Sequence, residues 1–402
     1  MTDGTELNPP RQGRFPSPLA QPEYGAGAAI APAPPAVAPL PDLPSRGRVA
    51  PGWLWIVLGV LLLGLGVYFA GMIGVAPSLI GFIAALFPYA VVLGTVVVID
   101  RWEPEPKGLV FFALAWGGIA SIALTLIFGL PFTILTIMLG APDYWGAVVQ
   151  APLMEEFFKV AGLVLLLWIG RRAFDGPVDG IVYGAMIGAG FAFTENIQYF
   201  AGAVVEGGFE QLAQLFVLRG VMSPFCHSMF TAVAGYMIGR AVRDGAGPGR
   251  RLAYGALGYA GAVLLHAVWN GGATFAVDGD AWGTFYLFQM ALFALFIVGI
   301  VLLRREERRL TRERLGDYAA AGWFTPQEVD MLATPAGRRT GRQWAAHLPG
   351  DRRGLMTSFI RDAASLAAAR QRAVSGRDPQ AAQDEHVLLA RITETRRQLL
   401  SS

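Results

Sequence analysis

The chain has 402 residues, of which 54% are hydrophobic and 15% charged, with a mean hydropathy of +0.45. This profile belongs to a polytopic membrane protein and excludes a soluble multidomain chain. The formal net charge of +2 makes no case for a nucleic-acid partner, and the single cysteine, Cys226, rules out an intrachain disulfide framework.

Residues 1–50 hold 11 of the 26 prolines amid Ala and Gly. Such a stretch has too little apolar surface to pack and is expected to be a disordered, partly polyproline-like tail. The first apolar run begins only at Trp53, so no cleavable leader is expected. Runs long enough to span then fall at roughly 53–75, 79–99, 109–139, 152–170, 179–201, 219–240, 252–273 and 283–303. The third is too long for one straight helix, and Pro131 predicts a kink or break in it. After the eighth, residues 304–402 carry 18 arginines mixed with acids in amphipathic stretches. "TPQE" at 325–328 has the pattern of a capping box with Pro at the first helical position. This region reads as a cytosolic helical extension, its first turns drawn to anionic lipid by arginines. The expected organisation is thus an all-α polytopic membrane protein: a tail at 1–50, a transmembrane domain of about eight helices at 51–303, and an Arg-rich extension at 304–402.

Loop charges orient the spans. Arg46, Arg48, Arg101, Lys107, Arg171, Arg172, Arg240, Arg243, Arg250 and Arg251 all fall on one parity of loops, together with the tail. The alternate loops at 76–78, 140–151 and 274–282 contain no Lys or Arg, and Arg219 sits at the edge of the remaining one. The positive-inside rule then places both termini in the cytoplasm of a cell-membrane protein. Trp53, Trp55, Trp102, Trp145 and Trp282 fall at expected interfaces, where aromatic anchors belong.

The fourth span begins "LMEEFFKVAG" and so carries Glu155, Glu156 and Lys159 side by side. A charge at the centre of a lone helix costs roughly 2.5–3.5 kcal/mol, against about 0.3–0.6 kcal/mol returned by each Leu, Ile, Val or Phe. These three groups must face protein or water, and such residues mark function by default. The fifth span adds Glu195 and Asn196. The sixth adds His227 and Thr231, and the seventh His266 and Asn270, each pair at i, i+4 and hence on one helical face. Followed along the alternating directions of the spans, all these groups lie in the outer third of the bilayer, at ~1.5 Å of rise per residue.

Paired carboxylates in a low dielectric suit a general base, and neutral His or Asn can support a developing oxyanion. Water activation with oxyanion support describes amide hydrolysis. Gly184, Gly188 and Gly190 allow close helix packing around the site. Other readings stay open. Glu155 and Glu156 could simply start a helix, Lys159 could be only their i+4 partner, and the histidines could be interhelical struts. Cys226 beside His227 is a poor nucleophile pair, because helix neighbours point ~100° apart. No HExxH motif is present, although Glu and His in this number could hold zinc. A secondary transporter using Glu155, Glu156 and Glu195 as a proton or cation site is the main alternative, but no half-and-half repeat is visible. A catalytically silent scaffold is the other.

"EEFFK", "GAGFAFTEN", "HSMFT" and "HAVWN" resemble, in order and spacing, the four motifs of the PrsW family of intramembrane proteases, over about residues 80–300. That family is related to the type II CAAX prenyl endopeptidases and the bacteriocin-immunity membrane proteases. The resemblance implies that Glu155 and Glu156 form the catalytic pair and that His227 joins them in water activation. It implies that His266 and Asn270 form the oxyanion or metal-facing part, with Glu195, Asn196 and Lys159 supporting. It also implies cleavage of membrane-anchored protein substrates near the outer face, such as an anti-sigma factor. The CAAX relatives carry EExxxR where this chain has EExxK, so processing of prenylated proteins is not implied. A metal-free glutamate mechanism is preferred to a zinc one.

Overall fold

The computed structural model describes residues 42, 50–100, 102, 104–278, 281–376 and 378–401. Nearly all of the expected N-terminal tail, with Arg46, Arg48 and Arg101, lies outside them. The described chain divides into two compact units at about Leu302.

In the first unit, α1 (Gly52–Tyr68), α2 (Val75–Asp100), α3 (Lys107–Ala115), α4 (Ile122–Met138) and α5 (Ala151–Ile169) are followed by α6 (Pro177–Leu215), α7 (Cys226–Arg243) and α8 (Pro248–Asp278). Then α9 begins at Trp282 and runs to Ala320. Short π-helical stretches at Phe69–Ile73, Trp116–Ser121, Gly146–Gln150 and Phe216–Met222 interrupt or extend these helices. Such widened turns are rare and tend to gather at functional sites.

Six stretches among the described residues are long and apolar enough to cross a membrane: Gly52–Ile73, Val75–Asp100, Lys107–Met138, Pro177–Arg243, Pro248–Ala276 and Trp282–Ala320. The expectation was eight. The stretch 177–243 holds two of the expected spans, α6 and α7, and the charges of Glu155, Glu156 and Lys159 keep α5 out of the set. The protein is therefore an all-α, multi-pass membrane protein.

The over-long third span is interrupted, by the widened turn at Trp116–Ser121, while α4 continues through Pro131 without a break. One further expectation is corrected. The sixth span does not run as one helix from Arg219. Residues 216–222 form a π-helical turn, Ser223–Phe225 depart from it, and α7 starts afresh at Cys226. Apolar residues on either side of Arg219 and of Ser223–Pro224 keep the hydropathy high and hide that start. Trp102 is also 7% exposed, buried in protein instead of facing lipid, whereas Trp53 is 56% exposed.

The first unit is organised around α6, which packs on α2, α3, α5 and α7. Between α6 and α7 the backbones touch. A Cβ on Gly184 would lie 2.6 Å from the Thr231 carbonyl oxygen, and one on Gly188 would overlap the His227 backbone. In lipid, helices associate by packing and not by expelling apolar groups from water, so this stripe of small residues fixes the pair closely. It holds the start of α7, with His227, against the middle of α6. α6 is kinked at Gly207 and Gly208, where Gly208 takes φ +68°, a conformation that a side chain would strain.

The second unit contains α10 (Pro326–Leu332), α11 (Pro335–Ala346), α12 (Arg353–Ser375) and α13 (Ala381–Leu400), packed around Leu332, Leu366, Leu388 and Ile392. The capping box forms as the sequence predicts: Glu328 N donates to Thr325 Oγ1 at 3.1 Å, and Thr325 N donates to Glu328 Oε2 at 2.8 Å. Several arginines serve a purpose other than lipid contact. Arg370, Arg372 and Arg391 are buried and pair with Asp317, Asp384 and Asp362 at 3.2, 3.1 and 3.1 Å.

Candidate active site

The sequence-selected residues of α5, α6, α7 and α8 converge on one buried cluster. Lys159 is fully buried on α5, where its ammonium lies 2.9 Å from Glu156 Oε1, 3.4 Å from Glu155 Oε2 and 3.1 Å from His227 Nδ1. It also sits 3.7 Å above the Phe191 ring, a cation–π contact in a dry surrounding. Every proton of the ammonium has a partner, which is how a charge survives at this depth.

Glu155 and Glu156 are chain neighbours with different surroundings. Glu156 is fully buried and satisfied three ways: by Lys159, by Thr231 Oγ1 donating at 3.1 Å, and by His266 Nδ1 at 3.0 Å. Among the described residues Glu155 is held at hydrogen-bond distance by Lys159 alone, and its Oε2 stands 3.9 Å from both His227 Nδ1 and His266 Nε2. The helical turn of ~100° per residue separates the two roles. Glu156 is an anchor, whereas Glu155 faces open space.

The partners define the histidine tautomers. An ammonium only donates, so His227 Nδ1 accepts from Lys159, and its Nε2–H donates to Glu195 Oε2 at 2.8 Å. A carboxylate only accepts, so His266 donates Nδ1–H to Glu156, which leaves its Nε2 lone pair directed at Glu155. His266 stacks on Phe230 at 4.6 Å between centroids, and its ring meets His227 edge-on at 5.1 Å.

Sequence reading missed Arg219, which it had set at the edge of a loop. The widened turn at Phe216–Met222 brings it into the site. It pairs with Glu195, donates from Nε to Asn196 Oδ1 at 2.9 Å, and lies 4.0 Å over the Tyr199 ring. The available signal was that Arg219 is the one basic residue in its loop class. Asn270 is tied by its side-chain N–H to the Ala147 carbonyl at 2.9 Å, so one of its two donors is committed to holding the Gly146–Gln150 turn. Cys226 is buried close by, but both ring nitrogens of His227 are engaged by Lys159 and Glu195.

Two cavities border the cluster. The smaller, about 230 Å³, is lined by Glu155, Glu195, Arg219, His227, His266 and Asn270. The larger, about 680 Å³, lies between α1, α4 and α6 and shares only Glu155, Glu195 and Tyr199 with it.

Glu155, His227 and His266 can each bring one ligand atom within 4.8 Å of the others. Two His and a Glu are a familiar zinc donor set, and the carboxylates behind both rings resemble the outer shell of such sites. The fit is good at His266, whose Nε2 lone pair is free. At His227 the Nδ1 lone pair is already taken by the Lys159 ammonium.

A bundle that buries carboxylates and imidazoles together, beside cavities, defines a membrane protein with a chemically equipped polar core. Residues 105–302 match the family described as PrsW family intramembrane metalloprotease, and the chain belongs to that family. Protease PrsW of Bacillus subtilis is 26% identical over 159 residues, 39% of this chain and 67% of that protein. Protease PrsW of Oceanobacillus iheyensis is 30% identical over 159 residues, 40% of this chain and 66% of that protein. The Geobacillus kaustophilus protein of the same name is 27% identical over 158 residues, 39% and 65% respectively. The chain thus spans about two thirds of the length of these relatives. No solved structure matches it.

Proposed function

We propose that the protein is an intramembrane endopeptidase that hydrolyses peptide bonds of membrane-anchored proteins, with its site toward the outer leaflet of the cell membrane and both termini cytoplasmic. The observation that carries this reading is the gap of 3.9 Å between Glu155 Oε2 and His266 Nε2 on a cavity wall. Two acceptors at that spacing can share one water, each taking one of its hydrogens. Glu155 then removes a proton as the water attacks the scissile carbonyl, and delivers it to the leaving amide nitrogen. Glu156 fixes the tautomer of His266, as an orienting carboxylate does in a hydrolytic triad. Lys159, itself braced by His227 and Glu156, keeps Glu155 aimed at the water. The uncommitted N–H of Asn270 and the positive charge of Arg219 stand on the same cavity wall, where they can steady the oxyanion.

If zinc binds, Glu155, His227 and His266 would hold it, and it would supply a more acidic water and a polarised carbonyl. The Lys159–His227 contact favours the metal-free reading, because a cation already occupies that face of the cluster. An anti-sigma factor is one substrate that fits a cut near the outer face. The deciding test is hydrolysis of single-span membrane proteins in liposomes by the full chain and by Glu155→Gln. Cleavage abolished by the substitution supports the proposal, and equal cleavage by both forms refutes it.

A further inference from the structure

The two cavities meet at Glu155 and Glu195 but differ in character. The larger mixes apolar walls such as Ile73, Ile122, Leu126 and Phe191 with Gln198, whose amide donates to Tyr68, and Gln211, whose amide donates to Glu206. Thr125 lines it too, and its Oγ1 is buried with no hydrogen-bond partner among the described residues. A lipid chain has no use for such groups. A polypeptide does: a membrane helix that unwinds to expose a scissile bond frees N–H and C=O groups, each costly in hydrocarbon. The smaller cavity is the more polar, carrying Arg219, Asn270 and both histidines. Its 230 Å³ is ample for several waters, since one needs roughly 10–15 Å³. The larger has the size of pockets that enclose a ligand of a few residues, about 300–1,000 Å³.

We infer that the larger cavity, between α1, α4 and α6, receives an unwound segment of the membrane-anchored substrate, while the smaller supplies water to the opposite side of Glu155. This rests on the peptidase reading above and assigns that site its substrate side. Thr125, Gln198 and Gln211 serve there as partners for freed backbone groups. Ile122 and Leu126 receive apolar side chains.

Gly202 offers a direct test. It lines the larger cavity, and a Cβ built on it meets no atom within 4 Å. A photoreactive benzoylphenylalanine is placed at Gly202, at Ala273 in the smaller cavity, or at Gly64 on the exposed face of α1 as a lipid-facing control. Each is carried by the full-length chain with Glu155→Gln, in liposomes containing a biotinylated single-span peptide. Adducts several-fold more abundant from Gly202 than from Ala273 or Gly64 are expected, reduced by Thr125→Val. Adducts predominantly from Ala273, or no excess at Gly202 over Gly64, would overturn the assignment. A photoactivatable phospholipid that labels Gly202 and displaces the peptide would make the cavity a lipid site and overturn it too. Cleavage of the same peptide by the wild-type chain is read separately. Adducts at Gly202 without cleavage would sink the peptidase reading and leave the binding assignment standing.

Discussion

The ammonium of Lys159 lies 3.1 Å from Nδ1 of His227, and through that ring it is linked to Glu195, 2.8 Å from Nε2. One buried cation therefore orients an imidazole on a different helix while pairing with two carboxylates on its own. Replacing it by Met leaves Glu155 and Glu156 without their shared partner. Breaking a buried pair in this way costs about 3–5 kcal/mol. Lys159→Met should lower the unfolding temperature in detergent and abolish cleavage. Lys159→Arg should not restore activity, because the planar guanidinium cannot reproduce a compact three-way donor. Full cleavage by either variant would mean that this contact is dispensable.

Arg219 gives a separable effect. Its two donors hold Glu195 and Asn196, and Glu195 in turn holds His227. Arg219→Gln should lower kcat by about 10²–10³, the scale expected for loss of a preorganised electrostatic donor. Arg219→Lys should recover part of that loss, because the charge returns without the fork. Thermal stability of the two variants should be similar, which separates positioning from folding. Equal kcat for wild type and Arg219→Gln would remove this residue from the mechanism.

Peptidase and transporter readings diverge at His266. In a hydrolase, His266→Phe removes the lone pair that shares the water and should abolish cleavage without affecting expression. A variant that cleaves normally but loses proton-coupled uptake into liposomes would favour the transporter.

The metal question is decided by two measurements. Incubation with a strong chelator should leave cleavage unchanged, and elemental analysis of purified protein should show no stoichiometric zinc. Activity lost to the chelator and regained with Zn²⁺ would establish Glu155, His227 and His266 as ligands and require Lys159 to withdraw from His227.

Topology is tested by reporter fusions. Fusions after Arg172 and Arg243 should report cytoplasm, and one after Asp143 the outside. A cytoplasmic signal after Asp143 would contradict both the eight-span topology and an outer-leaflet site.

Much of the cluster was legible in the sequence because polar residues are rare and conspicuous inside apolar helices. Glu155, Glu156, Lys159, Glu195, His227 and His266 all stand out, and the structure brings them together. Arg219 did not stand out, because it falls at the very edge of an expected span and its charge seemed to belong to the loop. Nor could spacing distinguish Glu155 from Glu156. Which of two adjacent acids is satisfied depends on Thr231 and His266, residues on other helices. The buried arginines of the C-terminal unit were hidden for the same reason. Their partners, Asp317, Asp362 and Asp384, are distant in sequence or unremarkable in it.

The widened turn at Gly146–Gln150 immediately precedes α5 and receives the Asn270 side chain. A π-helical turn holds one residue more than the α-helical turn it replaces, so the chain carries a built-in insertion at this point. Deleting a single residue there would restore an ordinary helix and need not break the bundle. It would leave the register on either side unchanged, because the extra residue is taken up within a single widened turn. The widening that presents the Ala147 carbonyl to Asn270 would be lost, while Glu155, Glu156 and Lys159 stayed where they are. A change of one residue in this stretch therefore acts on the wall beside the site and spares the packing of the bundle.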